Sequence, residues 1–116
     1  MADNKLADLS TEFAVQILKL TDSIKGHYSL ANQLERSGTS IGANIREAQY
    51  AHGKPDFIAK LQIALKEANE TGYWLELLYK TNYIDEQTYK SLDFACASIR
   101  VMLIASINTA KENNEN

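Results

Sequence analysis

The sequence has little that would break or cross-link a chain. It holds one proline, five glycines and one cysteine in 116 residues. So few breakers leave long uninterrupted stretches, which argues against many short strands joined by turns. The single cysteine, Cys96, excludes an internal disulfide and a thiolate metal cage. No apolar run approaches the roughly 18 residues of a membrane span. The mixed polar sequence that follows Met1 does not read as a signal peptide, and none is expected. The expectation is a cytoplasmic protein with no membrane partner. A dominant charge is lacking too, since 12 basic and 15 acidic side chains are interspersed for a net charge of −3. A domain that grips duplex nucleic acid by its phosphates is usually basic. Strong non-specific DNA binding is therefore not expected, although a local basic patch could still form on an assembly.

What is present is a 45% hydrophobic fraction in a length that suits one domain with one core. The apolar residues recur at helical spacing in four segments. The first spans about 10–25, with Phe13, Ile17, Leu20 and Ile24 at spacings of four, three and four, and Gly26 is its expected stop. The second spans about 29–51, with Ser29 as expected N-cap and Leu30, Leu34, Ile41, Ile45 and Ala48 on one face. The third spans about 55–80, opening on Pro55 and carrying Ile58, Leu61, Leu65, Ala68, Leu75 and Tyr79. The fourth spans about 85–111, with Asp85 as expected cap and Leu92, Cys96, Ile99, Leu103 and Ile107 on one face. Residues 112–116 form a polar tail expected to fray. Short connections between long helices predict an all-α, antiparallel, up-down-up-down four-helix bundle.

The fourth segment carries more apolar surface than such a bundle needs. Phe94, Ala97, Val101 and Ile104 fall roughly opposite its main face, at spacings of three, four and three. Either the other three helices surround this one, or another subunit covers the second stripe. The small size of the core favours a homo-oligomer interface. The third segment has a second stripe as well: Ile63, Glu67, Glu70, Trp74 and Leu77. Trp74 is assigned to the oligomer interface with the stripe of the fourth segment. Carboxylates on an apolar stripe sit at its wet edge or pair with a donor, because an unpaired buried charge is costly.

The second segment offers partners, with Arg36, Ser40, Asn44 and Glu47 along one side. These four residues, with Glu67 and Glu70, are expected to form a structural polar network in which Arg36 or Asn44 bonds to a glutamate. Ser37, Gly38, Ser40, Gly42 and Ala43 make the same stretch rich in small residues. Each glycine inside a helix costs about 1 kcal/mol relative to alanine, so their presence predicts the close approach of another backbone.

Three stretches together resemble one family. They are Arg36 to Ala48 (RSGTSIGANIREA), Asp56 to Ala64 (DFIAKLQIA) and Lys66 to Leu78 (KEANETGYWLELL). In this order they are similar to the bacterial four-helix bundle proteins encoded in intervening sequences of 23S ribosomal RNA genes. The resemblance runs from about Phe13 to Ile107. It implies an antiparallel bundle and a ring-shaped homo-oligomer, commonly a pentamer. It extends to the accessory protein of diversity-generating retroelements, which works with a reverse transcriptase and nucleic acid. On that basis RNA, or a nucleic-acid-processing protein, is an expected partner, with Lys19, Lys25, Arg46, Lys60 and Lys66 as candidate contacts.

Catalysis finds less support. No Glu-x-x-His pair of the di-iron kind occurs, and neither His27 nor His52 has ligand spacing to a second histidine or cysteine. No metal and no cofactor are expected. Glu67 and Glu70, one turn apart, could hold magnesium as in an all-helical nucleotide pyrophosphohydrolase. Such a site needs a second acidic pair, which Asp85, Glu86 and Asp93 do not supply at core-facing spacing. Cys96 falls on the main apolar face, where a thiol is usually inert. The sequence therefore reads as a non-enzymatic, self-assembling scaffold or binding module.

Overall fold

The computed structural model describes residues 4–113. Four helices run α1 (Asn4–Ser23), α2 (Tyr28–Gln49), α3 (Lys54–Lys80) and α4 (Glu86–Asn113). Each packs against its neighbours in sequence and α4 returns to α1, while the diagonal pairs do not approach each other. The result is an antiparallel four-helix bundle about 51 Å long and 21 by 19 Å across.

The helices lie where the apolar periodicity puts them, with two corrections at the ends. The first helix begins six residues earlier than expected, at Asn4, and buries Leu6. Its inward face runs Leu6, Ser10, Phe13 and Ile17, and the fully buried serine interrupts the apolar pattern that marks the rest. The second begins at Tyr28, with His27 at the N-cap and no side-chain cap, so Ser29 lies inside the helix. Gly26 follows the end of α1 with a φ of 111°, a left-handed conformation that glycine adopts freely. Asp85 does cap α4: its Oδ1 accepts the backbone N–H of Thr88 at 2.8 Å. The expected tail is partly helical, because α4 continues to Asn113; residues 114–116 lie outside the described residues.

The small residues of α2 meet α1. A Cβ added to Gly38 would lie 3.0 Å from Ile17 Cγ2, and one added to Gly42 would lie 3.3 Å from Ser10 Oγ. Two glycines four residues apart thus form a flat strip along α2, and the Ser10–Ile17 face of α1 presses into it. The predicted close approach is there, with α1 as the helix that makes it.

One helix, 86–112, is long and apolar enough to cross a membrane by length and composition alone, contrary to the expectation from the lengths of apolar runs. Its apolar residues serve two faces. Leu92, Cys96, Ile99, Leu103 and Ile107 are buried in the core of the bundle, whereas Phe94, Val101 and Ile104 are exposed.

Candidate functional site

Two places on the bundle carry the residues that the sequence singles out. The first is the seam between α2 and α3. Arg36 reaches across it, with Nη2 2.8 Å from Glu70 Oε1 and Nη1 3.4 Å from Glu67 Oε1. Glu67 is largely covered, its side chain 16% exposed, while Arg36 is 51% exposed. The carboxylates therefore line the wet edge of α3, held by one guanidinium. Beneath them Thr71 and Ser37 are fully buried, with their hydroxyls 2.9 Å apart.

The rest of the expected network divides differently. Ser40 Oγ donates to the Arg36 carbonyl at 2.7 Å, and Asn44 Nδ2 donates to the Ser40 carbonyl at 2.9 Å. Both satisfy the backbone of their own helix and do not reach the glutamates. Glu47 lies too far along α2 to join Arg36 and pairs instead with Lys60 on α3, at 3.2 Å. Arg36, Glu67 and Glu70 are thus the core of the seam.

The second place is the outer face of α4. Phe94 is 75% exposed, Val101 67% and Ile104 46%, with Ala97 half-buried between them. The other helices do not surround α4, so its second stripe is left uncovered within one chain. These residues form an exposed apolar stripe along the outside of α4. Trp74, grouped with it from the sequence, is only half-buried, and its indole Nε1 is buried with no hydrogen-bond partner. Tyr73 beside it is exposed, and the two rings lie 5.2 Å apart.

The candidate cations are spread over the chain. Arg46 and Lys60 line one cleft of about 380 Å³ with Glu47, Tyr50, His52 and Asp56, two basic and two acidic side chains. Lys19 lines a separate groove between α1 and α4, Lys25 lies in the link from α1 to α2, and Lys66 is exposed on α3.

The groove between α1 and α4 was not anticipated. It encloses about 720 Å³, because these two helices make the least contact of any neighbouring pair. Leu9, Phe13, Leu20, Leu92 and Ala95 supply its apolar lining. Ser91 and Ala95, small residues on the side of α4 facing α1, do not fill the gap, but no spacing within either helix announces it. Val15 and Leu18, exposed on α1 away from its main stripe, were also missed.

Chemistry in the core is muted. Burial pushes the Cys96 thiol up to about 11, only partly offset by Arg100. The thiol donates to the Ala68 carbonyl at 3.3 Å. No group of three or more metal-ligating side chains comes together among the described residues.

Comparison with known proteins agrees with this architecture. The family described as 23S rRNA-intervening sequence protein matches residues 2–105. A crystal structure of a protein of unknown function from the S23 ribosomal protein family of Bacteroides thetaiotaomicron is 50% identical, with a TM-score of 0.84. The match covers 88% of this chain and 97% of that one. No curated protein matches. On both the sequence match and the shared bundle, the chain belongs to the 23S rRNA-intervening sequence protein family.

Proposed function

We propose that this protein is a non-enzymatic, self-assembling four-helix scaffold of the cytoplasm. Its assembled form binds RNA or a ribonucleoprotein partner. The observation that carries the reading is the outer stripe of α4. Phe94, Val101 and Ile104 stand in solvent on a single chain whose core is already filled. Covering one such side chain is worth about 1.5–3 kcal/mol, so three adjacent ones favour association through this face. A ring, commonly of five copies, is what the family resemblance adds.

The RNA arm rests on the family's origin within ribosomal RNA genes and on the cleft shared by Arg46, Lys60 and the exposed Tyr50. The cleft also holds Glu47 and Asp56, so its charges balance; its repetition around an assembly would raise avidity without any strongly basic surface on one chain. Magnesium chemistry at Glu67 and Glu70 is not favoured, because Arg36 already supplies both carboxylates with a cation. A role beside a reverse transcriptase has no separate observation in its support.

Light scattering on a sizing column, at low and high salt, tests the assembly. A mass of several times 13.0 kDa at both salts is expected, since an apolar contact resists screening. A mass of one chain ends the reading. Titration of a labelled single-stranded RNA into the assembly tests the second arm. Binding should weaken steeply as salt rises, and absence of binding at low salt removes the RNA partner.

A further inference from the structure

The cleft at the α2–α3 turn holds charges that cancel, together with one group that can tip the balance. Arg46, Glu47 and Tyr50 line it from the end of α2, His52 from the link, and Asp56 and Lys60 from α3. Both carboxylates are already engaged. Glu47 pairs with Lys60 at 3.2 Å, and Asp56 Oδ2 accepts the backbone N–H of His52 at 3.3 Å. The second bond ties the link to the first turn of α3 and so keeps His52 at the cleft. Arg46 is exposed and makes no ion pair among the described residues.

With His52 neutral, two cations face two anions, and the cleft has no net charge to offer a polyanion. With His52 protonated, it carries one net positive charge. We propose that protonation of His52 makes this cleft attractive to the phosphates of RNA, so that RNA is held in mildly acid conditions and released above neutrality. This rests on the RNA reading above and adds its regulation. Tyr50 beside these charges is 81% exposed and offers a face on which a base can stack.

His52 is well placed to act alone. Histidine is the side chain whose charge ordinarily changes between pH 5 and 8, and the chain has two. The other, His27, caps the far end of α2 and packs edge-on against Tyr83, with ring centroids 5.5 Å apart. The 22 residues of α2 separate the two, about 33 Å along the helix axis. Burial keeps the Cys96 thiol protonated throughout this range. The groups that face His52 are Arg46, Glu47 and Tyr50 from α2 and Asp56 and Lys60 from α3. Side chains of those types ordinarily keep their charge between pH 5.5 and 7.5.

The test is binding of a fluorescent oligouridylate to the assembled protein at low salt, at pH 5.5 and at pH 7.5. Uracil and the phosphodiester do not titrate in that range, so any change belongs to the protein. Wild type should bind several-fold more tightly at pH 5.5. Its salt dependence should steepen as well, by about 0.7 in the slope of log K against log salt for one further cation on a single strand. His52→Gln should bind at both pH values as wild type does at pH 7.5, and His52→Arg should bind tightly at both. His27→Gln should keep the wild-type response. Glu47→Gln should bind at pH 7.5 as wild type does at pH 5.5, because loss of one carboxylate gives the cleft the same net charge as protonation of His52. A pH response that survives in His52→Gln overturns the inference, as does a Glu47→Gln variant that binds no better than wild type at pH 7.5. Equal wild-type affinity at the two pH values overturns it and leaves the RNA reading standing. Absence of binding at either pH removes both.

Discussion

The hydroxyls of Ser37 and Thr71 meet at 2.9 Å across the α2–α3 seam, in the most enclosed part of the bundle. They are not equivalent. Thr71 Oγ1 also reaches the Glu67 carbonyl at 2.8 Å, whereas the nearest other acceptor for Ser37 is the Leu34 carbonyl at 3.4 Å. Ser37 depends on Thr71 more than the reverse.

That asymmetry predicts an order of stability. Thr71→Val leaves a buried serine hydroxyl short of a good partner and should cost about 1–2 kcal/mol. Ser37→Ala leaves Thr71 its carbonyl and should cost less than about 1 kcal/mol. The double variant should be less damaged than the sum of the two, since no hydroxyl is then stranded. Urea unfolding of the three variants checks this. A Ser37→Ala cost equal to or above that of Thr71→Val would contradict the assigned pattern.

The glycines give a pair of opposite predictions. Both lie inside helices, where alanine is favoured by about 1 kcal/mol. At Gly38 the new methyl would press on Ile17, with Cγ2 at 3.0 Å and Cγ1 at 3.1 Å. Ile17 is β-branched and fully buried, so it cannot turn aside. Overpacking of this kind costs about 1–3 kcal/mol, and Gly38→Ala should come out destabilised. At Gly72 the only neighbour is Arg100 Nη1 at 3.3 Å, the far end of a flexible side chain. Gly72→Ala should therefore raise the melting temperature. The sign of the two shifts in thermal denaturation decides.

Much of this was legible in the sequence, and the gaps have physical causes. The two faces of α4 were readable because both keep helical spacing, and the structure buries one and exposes the other. The Arg36 contact was readable because a charge beside an apolar stripe has few places to go. The first six residues of α1 were missed because Ser10 occupies a core position, and a serine there reads as the end of an apolar face. Only the approach of Gly42 makes a small polar residue fit. Glu47 was misassigned because spacing along α2 says which side a residue faces but not which residue of α3 lies opposite. The α1–α4 groove is a property of how far apart two helices settle, and no pattern within either helix encodes that distance.

Arg36 should contribute to stability through a screened interaction. The pair with Glu70 is short at 2.8 Å, but the guanidinium is half in solvent, and exposed pairs are typically worth up to about 1 kcal/mol. Arg36→Ala should lower stability by about 0.5–1 kcal/mol at low ionic strength. Arg36→Lys should recover only part, since a lysine has one point charge with which to serve two carboxylates. The difference from wild type should shrink in 0.5 M salt. A loss that is insensitive to salt would mean that Arg36 acts through the packing of its stem instead.

Cys96 should behave as an inert core residue. Burial raises the thiol to about 11, so almost none is thiolate at pH 8. A disulfide reagent should label the native protein slowly at that pH and the urea-unfolded protein within the mixing time. Fast labelling of the folded chain would show that the α3–α4 contact opens readily.

Asp85 should make stability depend on pH. Its carboxylate accepts the Thr88 backbone N–H, and that bond holds its pKa below the ordinary value. A group whose folded pKa is depressed stabilises the fold above its unfolded pKa and loses that contribution as pH falls through the folded one. Asp85→Ala should therefore melt at a lower temperature than wild type at pH 7. The gap should narrow steadily below pH 4, where the wild-type carboxylate takes up its proton. Thermal melts of both proteins across this range measure it directly. A gap that stays constant down to pH 2 would mean that the aspartate stabilises α4 by its shape at the helix start, with no contribution from its charge.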